Sequence, residues 1–146
     1  KKAKITLQFK EKKVDKDLIK WKGRITLGAG ISLAGMPVTV DVRGAVRSFV
    51  LDEKGRGNDG AGSKFRVKAK LDKSGVTKAD EVKYSFQLRG DWKAALAEYG
   101  LVDDTVSDVP VTVPVSFIAG SRTYAVDRAF TYSAKLGKSG KAEVVL

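Results

Sequence analysis

Lys20, Lys22 and Arg24 place a cation at every second residue of one short run, and Lys64, Arg66, Lys68 and Lys70 do so in another. A two-residue period sends such side chains to one face of an extended chain. Lys2, Lys4 and Lys10 lie on the polar side of a third run. If the three runs share a sheet, they form a broad cationic wall. That wall suits a sulfated or carboxylated glycan, cell-wall phosphates or nucleic acid, held by ionic contacts that weaken with salt. Lysines on solvent faces and edges also serve a purely structural end, keeping sheets from pairing with one another. No aromatic residues interleave with the cations on a polar face, so nucleic acid is a weak special case of polyanion.

Other groups are less promising. Asp52, Glu53, Asn58 and Asp59 stand in a glycine-rich segment, the kind of oxygen set that binds calcium. Their spacing matches no EF-hand, and Lys54 and Arg56 bring the wrong charge, so a flexible loop without metal is expected. Gly137-Lys138-Ser139 has the ending of a phosphate-binding loop, but Tyr132 stands where the first glycine belongs. Arg89-Gly90-Asp91 falls at a strand end, with Asp91 placed to cap a helix. Asp103, Asp104 and Asp108 read as a solvated loop. Trp21 and Trp92 could stack on sugars, yet both sit in apolar patterns that favour packing. The chain has no His and no Cys, which removes imidazole and thiolate ligands, Cys nucleophiles and every His-dependent triad. A non-catalytic protein without cofactor is expected.

The elements that must position these residues occur twice. Pro37-Val-Thr-Val-Asp-Val42 returns as Pro110-Val-Thr-Val-Pro-Val115, and Arg47–Asp52 as Arg122–Asp127. Phe65–Gly75 returns as Phe130–Gly140, and Lys4–Phe9 as Lys83–Leu88. Each block alternates apolar and polar residues, so each predicts a strand, with a β-hairpin around Gly44 and another around Gly120. Pro114 predicts a local edge. Copy one, about 3–75, adds a strand through Ile19, Trp21, Gly23, Ile25 and Leu27 and a loop at 53–63. Copy two, about 82–140, replaces that strand with a short helix at 91–99. Lys141-Ala-Glu-Val144 begins a further unit or closes this one.

An all-β fold of eight to ten strands with one short helix follows. One duplicated β-sandwich over 1–146 is favoured, because each copy alone is small for a core; two tandem immunoglobulin-like sandwiches are the alternative. Charge separates the copies. Residues 1–75 carry 19 Lys and Arg against eight Asp and Glu, and residues 76–146 carry nine of each. No run is long enough to span a membrane, so no insertion is expected. The first residue is Lys, which reads as a piece of a longer polypeptide.

The Pro-Val-Thr-Val blocks and Lys-Ser-Gly turns resemble the repeat modules of large bacterial cell-surface proteins, which are immunoglobulin-like in style. The resemblance implies an extracellular or cell-surface structural or adhesion module. Its partners would be neighbouring modules of the parent chain, another protein or an anionic polymer.

Overall fold

The computed structural model describes residues 2–144. The chain is all-β apart from one helical turn. Its strands are β1 (Lys2–Gln8), β2 (Asp17–Thr26), β3 (Pro37–Val42), β4 (Ala45–Val50), β5 (Arg56–Asn58), β6 (Lys64–Lys68) and β7 (Glu81–Gly90). Helix α1 (Lys93–Ala97) precedes β8 (Val106–Ala119), β9 (Arg122–Lys135) and β10 (Ser139–Val144). All pairings are antiparallel, in one ten-stranded sheet ordered β4-β3-β8-β9-β10-β1-β2-β7-β6-β5.

The sheet curls like a barrel, so the two walls expected of a sandwich are opposite stretches of one sheet. Inward residues alternate along every long strand, as the sequence predicts: Ile5 and Leu7 on β1, Ile19 and Trp21 on β2, Val113 and Val115 on β8. Residues of both sequence copies fill one contiguous core. The end strands β4 and β5 meet through side chains, with Gly57 against Phe49 and Arg47 Nε 3.5 Å from Asp59 Oδ2. Gly57 is required there, since a Cβ would come within 2.7 Å of Phe49 Cβ.

The repeated blocks have distinct neighbours. The two Pro-Val-Thr-Val hairpins stand back to back, joined by β3 and β8. The first-block strands β1 and β7 instead flank β2 on either side. β10 pairs with both β9 and β1, so Lys141-Ala-Glu-Val144 closes this sheet. Pro114 lies on β8 just outside the stretch that β3 covers, a local edge as predicted.

The helix is shorter than the sequence suggests, and Asp91 does not cap it. Trp92 occupies the cap position without a side-chain bond. Buried Asp17 holds this end instead, taking the Trp92 amide at 2.9 Å and the Lys93 ammonium at 3.0 Å. Burial lowers the Lys93 pKa, but its bonds to Asp17 and Asp91 outweigh that effect and leave it raised.

Tyr132 is fully buried and donates to the Val102 carbonyl at 2.8 Å. Burial, with the charge of Asp103 in support, pushes its phenol up to about 12. The folded chain therefore holds this proton more tightly than the unfolded chain, whose tyrosines titrate near 10. The resulting stability is complete below about pH 10 and fades as pH rises toward the folded value. Absorbance titration should find one of the four tyrosines ionising last, alongside alkaline unfolding. In Tyr132→Phe that late step should be missing.

Candidate functional site

Cations cluster on one stretch of the barrel wall. On its outer surface β2 presents Lys20, Lys22 and Arg24, and β6 presents Lys64, Arg66 and Lys68, all exposed. Strand β7 lies between them. The registers align Lys20, Gln87 and Lys64 in one row, Lys22, Ser85 and Arg66 in the next, and Arg24, Lys83 and Lys68 in a third. The expected wall therefore forms, but through a strand of copy two. Lys83, Ser85 and Gln87 are the wall residues that a copy-by-copy reading of charge leaves out. Their alternation in β7 was visible; their place between β2 and β6 was not.

Neighbouring strands lie about 4.8 Å apart, so the two cationic lines run about 10 Å apart. Along each line the charges recur about every 6.8 Å, two residues of strand. Ser85 and Gln87 form a neutral floor. Two shallow grooves follow it, one of about 450 Å³ between Lys22, Arg24, Arg66 and Lys68, the other of about 290 Å³ between Lys20 and Lys64. Among the described residues of β2, β7 and β6, the outward carboxylate is Glu81, which pairs with Arg24 at 3.1 Å at the rim. On the far margin Glu143 of β10 approaches Lys4 of β1 at 3.9 Å.

Scans against known proteins add nothing to this surface. No protein-family model, curated protein or solved structure matches the chain.

Lys70 lies past the end of β6, where its carbonyl accepts the Lys78 amide, so it extends the wall only as an exposed neighbour. The segment 53–63 is not the flexible loop expected. It carries β5, and Gly55, Gly57 and Ser63 are buried. Its oxygens serve the backbone: Asp52 accepts the Lys54 and Arg56 amides, Asn58 the Gly60 amide, and Asp59 those of Ala61 and Ser63. Glu53 stays exposed in the turn. Partial burial opposes ionisation of Asp59, yet those amides and Arg47 outweigh it and lower its pKa. These are turn-forming carboxylates, as the bonds they accept show.

The remaining motifs are structural as well. Gly137 sits at a left-handed φ of 68° in the turn between β9 and β10, a strand–turn–strand setting with no helix to receive a phosphate. In Arg89-Gly90-Asp91 the glycine is buried, and the Arg89 carbonyl takes the Arg47 guanidinium at 3.3 Å. Both tryptophans are core residues: Trp21 stacks on Phe86, and Trp92 lies under Arg47 at 4.4 Å. Asp103 and Asp104 accept the amides of Gly137 and Thr105 within exposed turns.

Proposed function

We propose that this chain is a non-catalytic binding module that holds a linear anionic polymer along β7, between the cationic lines of β2 and β6. The observation that carries the reading is the position of those lines. Edge protection accounts for lysines on strands with a free edge, whereas Lys20, Lys22, Lys64 and Arg66 lie on stretches paired on both sides. Cations directly opposite one another across strands repel and cost stability, and Arg24, Lys83 and Lys68 stand in such a row. A bound polyanion turns that cost into affinity. The style of its repeats favours a cell-surface setting, in which the polymer is a glycan or a cell-wall polymer.

The test is retention on immobilised heparin, with affinity followed against salt. Lys22→Glu, Arg66→Glu and Lys68→Glu together should abolish retention near physiological salt and flatten the salt dependence. The same three reversals placed off the wall, at Lys12, Lys135 and Lys138, should leave most of it. Equal losses in the two triple variants would mean that net charge alone is read, and the proposal would fail.

A further inference from the structure

Across the barrel from the wall lies a face without cations. The outward positions of β4 and β3, of β8 from Pro110 to Ile118 and of β9 from Thr123 to Thr131 hold no Lys or Arg. In a chain with 28 Lys and Arg among 146 residues, so large a gap is no average sample of the surface. Cations resume on both flanks, at Lys141 of β10 beyond β9 and at Arg56 of β5 beyond β4. Arg43 and Arg122 stand at the rim, in the β3–β4 turn and at the start of β9.

The outward apolar surface gathers on the same face. Among the described residues, Val46, Val50 and Ile118 are the exposed large apolar side chains that point outward from a strand. The other exposed ones, Val14, Val102 and Leu136, lie in loops, and Val126 is on the inward phase of β9. The registers set Ile118 between Thr39 and Thr123, Val46 beside Asp41, and Val50 beside Pro37. The Ser48 and Thr39 hydroxyls bond each other at 3.0 Å, so both are partly satisfied without water. The charges on the face are Asp41 and Asp127, and Asp41 already accepts the Gly44 amide at 2.8 Å.

A charge-poor surface that collects exposed apolar side chains has the character of a protein contact. Strands about 4.8 Å apart, with rows about 6.8 Å apart, give it a footprint on the order of 400 Å² in projection. Side chains roughen that into a larger accessible area, near the 600 Å² or so that each partner buries in the smallest specific contacts. Charge selects the occupant. An acidic partner is drawn to the wall, on the opposite side. A face with two carboxylates and no cation suits a partner that is itself cationic, and with a net charge of +11 a second copy of this chain is one. Two copies that meet here set no cations directly against cations.

We propose that this face docks a second copy of the chain, face to face, in a two-fold pair that uses the same surface on both sides. The small footprint makes the pair a weak one, with a micromolar dissociation constant. In the ring of strands, β3 and β8 stand opposite β7. The cationic walls of a pair therefore point away from each other, each free to hold its own polymer strand. That consequence rests on the polymer reading; the pairing does not.

Sedimentation equilibrium from micromolar to millimolar protein tests the pairing. The average mass should rise from the monomer's 15.8 kDa toward twice that value. Added salt should strengthen the association, because it screens the repulsion between two copies of the same sign; contact through the cationic wall would weaken instead. Ile118→Lys should raise the dissociation constant about tenfold or more. Val50→Lys, at a position 68% exposed, should do the same and decides the matter if Ile118→Lys does not fold. Val14→Lys, in a loop away from the face, should pair as the parent does. The wall variant Lys22→Glu, Arg66→Glu, Lys68→Glu should also still pair, even if it has lost heparin. A monomer at millimolar concentration in high salt, or equal losses in Val14→Lys and Val50→Lys, would overturn the inference.

Discussion

Asp17→Ala will cost the fold about 3–5 kcal/mol, the range for removing one partner of a buried charge pair. The carboxylate is fully buried and each oxygen is used. Oδ1 accepts the Gln8 amide at 2.7 Å, at the end of β1. Oδ2 accepts the Trp92 amide at 2.9 Å and Lys93 Nζ at 3.0 Å, at the start of α1. One side chain thus ties two strands to the helix, across more than half the length of the chain. Alanine leaves two backbone N–H groups without their acceptor and the Lys93 ammonium with only the exposed Asp91. Asp91, the other acid near Lys93, is 53% exposed, and an exposed pair contributes little. Asp91→Ala should therefore stay within about 1 kcal/mol of the parent. Urea unfolding of the two variants side by side checks the contrast. Similar losses in both would show that Asp17 is no anchor.

Phe65→Ala comes next, at about 3–5 kcal/mol for deleting a packed aromatic ring. Phe65 is 1% exposed and stacks on Phe86 of the neighbouring strand, with centroids 6.2 Å apart. It also reaches across the interior, to Phe117 of β8 at 5.7 Å and Phe49 of β4 at 6.1 Å. β4 and β5 meet without a hydrogen-bonded ladder, so side chains such as this hold the ends of the sheet together. The variant should lose stability and also exchange the β5 amides faster than the rest of the sheet. Val50→Ala, on an exposed position of β4, should fall within about 0.5 kcal/mol. Uniform exchange across all strands of Phe65→Ala would locate the ring's contribution elsewhere.

The strands were legible because alternation is a local signal. Ile19, Trp21, Gly23, Ile25 and Leu27 share a phase in the sequence and a face in the fold. Gly23 belongs to that phase because Tyr84, directly opposite, lays its ring across it. β5 was not legible: its three residues include a glycine and no apolar side chain, and they are placed by Phe49 and Phe65 from elsewhere in the chain. The repeat also promised more likeness than it delivered. Phe65 lies on a strand that stops at Lys68, while the matching strand runs on to Lys135. One cause is local: Asp72 accepts the Ser74 and Val76 amides and folds a turn, whereas Gly137 stands at the matching place. The cationic lines were readable as lines. Their assembly into a wall depends on which strands pair, and alternation does not encode a partner.

The strand order bears on how the chain reaches this state. Of the strands described, β1 is the first in chain order and β10 the last, yet they are neighbours in the sheet. β2 must likewise wait for β7, and β3 for β8. Until β10 is made, β1 and β9 both present bare edges, and the hairpins already formed have no way to close the ring. The ring therefore closes only once β10 has been made. Pairings this distant in sequence place folding on the millisecond-to-second scale of β-rich domains. During that interval the exposed edges are open to pairing with other chains, and the surplus of positive charge on the first half keeps nascent copies apart.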